Sequence, residues 1–212
     1  MKNVQLTILL LFISFNDFAQ IFVNGEYNYH ITIQPTGISG AGELLSSTDT
    51  GFGKGTLQAA GNISSNTAVG YSALVFPTNS FFFNYHGKNN TAVGRFALMN
   101  NKEVYNNSAF GSDVMGKMVD GYITGTRNAA FGGAALYNIK TGHNNTAFGS
   151  GTLYRNESGN NNTAFGTGAG YEIKEGNYLA AFGHNSLRYH VSGNYATAFG
   201  YYALGNDKTG ID

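Results

Sequence analysis

The stretch NTAFGSGTL at residues 145–153 decides the fold of this chain, because its first five residues recur along the sequence. NTAFG returns at 162–166, and NTAVG stands at 66–70 and 90–94. Five variants complete the set: DTGFG at 49–53, NSAFG at 107–111, NAAFG at 128–132, LAAFG at 179–183 and ATAFG at 196–200. The spacing between successive closing glycines is 17 in six of eight cases, and 24 and 21 in the other two. The chain is therefore a tandem repeat.

The chemistry within one repeat predicts its shape. A short β segment runs into a glycine, an apolar residue follows four positions later, usually Leu, and an Asn- and Gly-rich loop leads to the next motif. Such a unit cannot bury an apolar face alone, but stacked units can. The sequence therefore predicts an all-β chain, a parallel β-solenoid of about nine 17-residue coils within residues 49–212.

Strand alternation divides the motif between two faces. Phe and Thr share one face, while Ala and the closing Gly lie on the other. We expect the Phe and Leu columns to form the core, with Leu on a second short strand. Phe148, Phe165 and Phe182 should then stack in one line inside the solenoid. Thr146 and Thr163, on the face of the Phe column, should point inward or lie at a corner.

The Ala column admits only Ala or Gly in nine repeats, so another backbone approaches closely there. Two interpretations remain open. The favoured one places other subunits of a homotrimer against this face, and the other makes it a second internal core face lined by small residues. The candidate trimer-interface residues are Ala68, Ala92, Ala109, Ala130, Ala147, Ala164, Ala181 and Ala198.

An Asn column opens the motif in six repeats. Its periodicity favours a hydrogen-bonded side-chain ladder at a corner over a set of glycosylation acceptors such as Asn144-Asn145-Thr146. The Asn column consists of Asn66, Asn90, Asn107, Asn128, Asn145 and Asn162.

The first twenty residues predict a cleaved secretory signal. Lys2 supplies a positive start, Leu6 to Phe15 is an apolar run too short to span a bilayer, and Ala19 stands at a plausible cleavage site. We expect an exported protein, at the cell surface or extracellular, with no transmembrane segment after the signal is removed. Residues 21–48, which lack the repeat, should form an N-terminal cap.

Composition excludes several classes of function. Charged residues make up 11% of the chain, with 12 basic against 12 acidic, so no nucleic-acid partner is expected. The chain has no Cys, and its five His lack ligand spacing with carboxylates, so no metal or other cofactor is expected. No set of catalytic groups stands out, and we do not expect an enzyme.

One irregular segment, Val75 to His86, is rich in aromatic residues. Long loops on a rigid scaffold often carry binding, and exposed aromatic side chains mark contact sites. Alternatively, these rings cover a core edge or lock subunits together. The candidate ligand-binding residues are Phe76, Phe81, Phe82, Phe83 and Tyr85.

The repeats NTAFGSGTL at 145–153, NTAVGYSAL at 66–74 and NTAVGRFAL at 90–98 resemble those of trimeric autotransporter adhesin heads of the YadA-like or haemagglutinin type. The resemblance implies a left-handed parallel β-roll, a homotrimer, and attachment to host cells or matrix. Two alternative functions stay open: a phage-type tail-fibre segment, and an ice-binding solenoid that would need its Thr column on a flat outer face.

Overall fold

The computed structural model describes residues 20–21, 32–34, 50–52, 56, 61–75, 85–116 and 123–208. In these ranges the chain is all-β and contains no helix, hence none that could cross a membrane. The strands are β1 (Gln20–Ile21), β2 (Thr32–Gln34), β3 (Thr50–Phe52), β4 (Gly61–Ser64), β5 (Thr67–Val69), β6 (Tyr85–Lys88), β7 (Thr91–Val93), β8 (Glu103–Tyr105), β9 (Ser108–Phe110), β10 (Ala129–Phe131), β11 (Thr146–Phe148), β12 (Thr163–Phe165), β13 (Ala180–Phe182) and β14 (Thr197–Phe199).

The central residues of the nine motifs form one side of a parallel β-solenoid, as the repeat predicts. Strands β3, β5, β7 and β9 to β14 pair in parallel, and each Thr, Ala or Phe faces its counterpart in the next coil. Six of the eight steps between these strands have the regular length of 17, so the solenoid has about six regular coils and not nine. The two longer steps, of 24 and 21, keep the register, which shows that insertions leave the stacking intact.

The N-terminal part of the sheet adds two strands to the repeat. Strand β2 pairs in parallel with β3, and β1 pairs antiparallel with β2. These strands lie where a cap on the first coil was expected. The rest of residues 21–48, and residues 1–19 of the expected signal, lie outside the described residues.

The Leu column does not lie on a strand, which corrects the expectation of a second strand there. It lies in turns, with φ between 46° and 51° at Leu74, Leu98, Met115, Leu136, Leu153, Leu187 and Leu204. Gly170 takes this place in one coil with φ 61°, and the side chains of Leu153 and Ile173 fill the space that a Leu would occupy. The second sheet consists instead of β4, β6 and β8, which precede the Asn column.

The core sits on the Ala side of the strand, so the favoured interpretation of the Ala column is wrong. Every described Ala of that column is at most 2% exposed within the single chain: Ala68, Ala92, Ala109, Ala130, Ala147, Ala164, Ala181 and Ala198. These residues pack in one core with Leu136, Ile139 and Ile173. A side chain already covered by its own chain has no surface for a partner, so the Ala column is the internal face of the alternative interpretation.

The Asn ladder is confirmed. At Asn145, the backbone N–H and Nδ2 both donate to Oδ1 of Asn128, at 2.9 and 3.1 Å, and Nδ2 also donates to the Gly159 carbonyl at 2.7 Å. Oδ1 of Asn145 in turn accepts from the backbone N–H of Asn162 at 3.0 Å. These amides are at most 1% exposed. Each Asn side chain thus satisfies two backbone groups of the next coil, one N–H and one carbonyl, as a buried corner requires.

Candidate functional site: the outward Thr/Phe face

The three-residue strand presents its Thr and Phe side chains outward, because its middle Ala points into the core. We call these two outward columns the Thr/Phe face. Thr146, Phe148 and Thr163 are half-buried, and Phe165 is 37% exposed. The expectation that Phe forms the interior and Thr turns inward is therefore wrong. The Thr/Phe face lies on the surface of the single chain.

The Phe rings nevertheless stack in one line, as predicted. The ladder runs from Phe110 to Phe199, with ring centroids 4.4 to 5.5 Å apart. From Phe110 to Phe182 successive ring planes lie within 12° of parallel. Each ring inside the ladder has both faces covered by its neighbours. The ladder therefore offers ring edges to a partner, with methyl and hydroxyl groups of Thr beside them.

No charged residue interrupts this face in any described strand of the sheet from β5 to β14. Its members are Phe, Val, Thr, Ser and Ala alone. Charge lies elsewhere on the coil, in the ion pairs Lys140–Glu157 at 2.7 Å and Arg155–Glu172 at 3.0 Å. The Thr/Phe face is thus an uncharged stripe two residues wide, about 7 Å across.

A second aromatic ladder follows the Leu turn. Tyr137, Tyr154 and Tyr171 stack at 5.2 and 4.8 Å, and the Arg188 guanidinium lies 5.1 Å from the Tyr171 ring centroid. Burial raises the pKa of the Tyr154 phenol above its ordinary value of 10.0, and the neighbouring Tyr171 and Tyr137 phenols raise it further. The sequence signal for this ladder is the recurrence of Tyr at the period of the repeat, which the sequence reasoning missed.

An outer amide ladder was also missed. Oδ1 of Asn160 accepts from the His143 N–H at 2.8 Å, Oδ1 of Asn177 accepts from the Asn160 N–H at 2.8 Å, and Oδ1 of Asn194 accepts from the Asn177 N–H at 2.9 Å. Its residues recur at the same period as those of the buried ladder. They stiffen the return loop on its outer side.

Most of the aromatic insertion lies outside the described residues. Phe76, Phe81, Phe82 and Phe83 lie outside the described residues, and only the backbone of Tyr85, in β6, is described. Within the described ranges, no group of three or more His, Cys, Asp or Glu side chains could hold a metal ion. The residues that the structure brings together are those of the Thr/Phe face.

In comparisons with known proteins, no family model, no curated protein and no solved structure matches the chain.

Proposed function

We propose that this protein is an exported attachment module without catalytic activity, acting at the cell surface or outside the cell, and that it works as a homotrimer. The observation that carries the proposal is the Thr/Phe face, an uncharged aromatic stripe that the single chain leaves partly open. Exposed apolar surface of this kind marks a contact site. The resemblance of the motif to the repeats of trimeric adhesin heads supports attachment as the function of the proposed trimer.

The partner that fits the Thr/Phe face best is another copy of the same face. Ladder rings covered on both sides cannot stack on a sugar ring, but their edges can interdigitate with side chains of a matching stripe. A stripe about 7 Å wide suits a narrow contact repeated around an axis better than a broad interface. Three copies around a common axis would cover the stripes and leave the return loops outside for the ligand.

Light scattering tests the assembly, and two substitutions locate it. Phe148→Glu with Phe165→Glu should convert a trimer to monomers while the circular dichroism spectrum stays that of a β protein, since both rings lie at the surface. Ala147→Glu is the contrasting variant: it buries a charge in the core and should abolish the fold. A wild-type monomer at micromolar concentration would contradict the assembly.

Attachment itself is tested by binding of the purified protein to cells or extracellular matrix. The aromatic insertion and the return loops vary between repeats, so they are the expected contacts. Deleting Phe81 to Phe83, which leaves strand β6 whole, should weaken binding with the circular dichroism spectrum unchanged. Wild-type protein that binds neither cells nor matrix would contradict attachment.

Ice binding remains the second candidate, because one observation favours it: the Thr column faces outward on a regular sheet. Thr146 and Thr163 are register partners on neighbouring strands, which are about 4.8 Å apart. Against it, the longer Phe rings stand beside every Thr from β9 onward, and Ala129 and Ala180 interrupt the column. Thermal hysteresis that Thr146→Leu and Thr163→Leu abolish would favour ice binding over attachment.

A further inference from the structure

A histidine replaces an asparagine in one step of the outer amide ladder. At the later steps, the side-chain oxygen of an Asn accepts the backbone N–H of the residue one coil earlier. At His143 the ring takes the same place, and its Nδ1 lies 3.0 Å from the backbone nitrogen of Thr126 and 3.0 Å from its Oγ1. The ladder therefore passes here through a side chain that can gain a proton, which an amide does not.

The main chain fixes the position of the proton on this ring. A backbone N–H can only donate, so Nδ1 of His143 must accept, and the proton of the neutral ring is on Nε2. The Thr126 hydroxyl can reverse its role, because a hydroxyl both donates and accepts. The Thr126 N–H has no such freedom. This hydrogen bond therefore requires His143 in one tautomer and without charge.

Charged groups are sparse around the ring. The flanking segments of three successive coils contain one other titratable side chain, Arg127; these segments are residues 124–131, 141–148 and 158–165. Arg127 is exposed and follows Thr126 in the chain. The return loops add the Lys140–Glu157 ion pair at 2.7 Å. Two coils away in the repeat stand Glu103 and Tyr105 on one side, and Lys174 and Glu175 on the other. None of these groups makes the hydrogen bond that the ring makes to Thr126.

We propose that His143 makes this corner of the solenoid sensitive to acid. Protonation places a hydrogen on Nδ1, which then points at the Thr126 N–H, so the hydrogen bond between the two coils is lost. Imidazole changes its charge between about pH 5 and 8. Because the unfolded chain takes up this proton without losing a bond, stability should fall as the pH falls through that range. Weak acid would loosen the return loop, whichever ligand the protein attaches to.

The repeat itself supplies the test variant and its converse. His143→Asn installs the residue that stands in this column at 160, 177 and 194, so an uncharged amide accepts the Thr126 N–H at every pH. Asn160→His is the converse and should make the His143 N–H sensitive to acid, because that N–H donates to Oδ1 of Asn160 at 2.8 Å. His184→Asn is the matched control, since it removes an exposed His that lies outside this column.

Amide hydrogen exchange followed by NMR measures the step at Thr126. The protection factor compares the folded amide with an unstructured peptide at the same pH, so the pH dependence of the exchange chemistry cancels. From pH about 8 to about 5, protection of the Thr126 N–H should fall about tenfold or more in the wild type and in His184→Asn. It should change less than about twofold in His143→Asn. The Asn160 N–H, which donates to Oδ1 of Asn177 at 2.8 Å, is the internal control and should keep its protection in the wild type.

Three exchange results would overturn the proposal. The first is unchanged protection of the Thr126 N–H in the wild type. The second is an equal acid-induced loss in His143→Asn. The third is an equal loss at Thr126 and Asn160 in the wild type, which would assign the effect to the fold as a whole. Ring nitrogen chemical shifts at pH about 8 give an independent check. A proton on Nδ1 of His143 at that pH would also overturn the proposal, since this nitrogen could not then accept from Thr126.

Discussion

The closing glycines are required for two reasons: their backbone has a positive φ, and the backbone of the next coil leaves no room for a Cβ. Gly149 has φ +131°, and a Cβ there would lie 2.7 Å from the backbone carbon of Gly166 in the next coil. The neighbouring coils approach as closely at Gly132 and Gly166. Any side chain would push two coils apart, so the glycine column sets how tightly the solenoid stacks.

Gly149→Ala should therefore lower the free energy of unfolding. Backbone strain contributes about 1–3 kcal/mol, and overpacking against Gly166 adds about 1–3 kcal/mol. Gly133→Ala is the control in the same coil, since its φ is not in the left-handed region and a Cβ would lie 4.0 Å from its nearest neighbours. That variant should change stability by less than about 1 kcal/mol. Urea unfolding followed by circular dichroism measures both, and equal losses would contradict the role given to the closing glycine.

The Ala and Phe columns show what residue patterns can and cannot predict. Alternation placed Phe148 with Thr146 and opposite Ala147, which the structure confirms. It did not say which face is inside, and the larger ring was wrongly assigned to the core. The interior of so short a coil is narrow and admits only small side chains. A column restricted to Ala or Gly therefore indicates the face that points into the interior. The Phe column accepts both Val93 and Phe110, which a close-packed interior would resist.

At the scale of the element, the buried Asn ladder couples each coil to the next. Asn145→Ala would leave the Asn162 N–H and the Gly159 carbonyl without their amide partner. Each buried group left unpaired costs about 1–3 kcal/mol, so this variant should unfold at clearly lower urea concentration. Asn144→Gly is the control, because Asn144 is exposed with φ 57°, which glycine adopts freely. A loss no larger than that of the control would show that the ladder contributes little.

The Tyr ladder makes stability depend on pH in the alkaline range. Burial, then Tyr171 and Tyr137, raise the pKa of the Tyr154 phenol above 10.0 in the folded state. Below pH 10.0 both folded and unfolded states hold this proton, and the stabilisation is complete. Above it the unfolded state ionises first, so stability falls as pH rises through the folded pKa.

When the pH is raised from about 8 to about 11, the free energy of unfolding should therefore fall less in Tyr154→Phe than in the wild type. The phenyl ring keeps the stack between Tyr137 and Tyr171 and removes only the ionisable group. Urea midpoints at both pH values give the comparison. The same loss of midpoint in both proteins would show that Tyr154 has no part in the alkaline transition.

Some elements of the solenoid could be predicted from the sequence and others could not. The period predicted the sheet of Thr-Ala-Phe strands and the Asn145 ladder, because both need one residue type at one position. It did not predict the turn at Leu153, where the backbone has φ 50°. Leu rarely adopts this left-handed conformation, so a Leu in the sequence does not indicate it. Gly170 in the same column was the signal, because glycine favours the left-handed region. The second sheet was missed because its strands share no motif.

For the whole molecule, repetition means that coils contact only their neighbours and stability is close to a sum over coils. The chain itself shows which length changes are tolerated, since the two longer steps keep the register and no described step is shorter than the regular period. Extra residues can leave the coil as a loop. A coil that is too short cannot close.

Deleting Ser150–Gly166 should therefore leave a folded rod one coil shorter. The deletion joins Gly149 to Thr167, keeps every column in phase, and removes Asn156, whose buried amide atoms have no hydrogen-bond partner. Ile139 would then stack on Ile173. Small-angle scattering should show the rod shortened by about 4.8 Å, with the circular dichroism of a β protein retained. Deleting Ser150–Thr167 removes one residue more, leaves a coil one residue too short, and should unfold the chain around the junction. Equal behaviour of the two deletions would contradict the stacked-coil account, because it would mean that the column register does not hold the rod together.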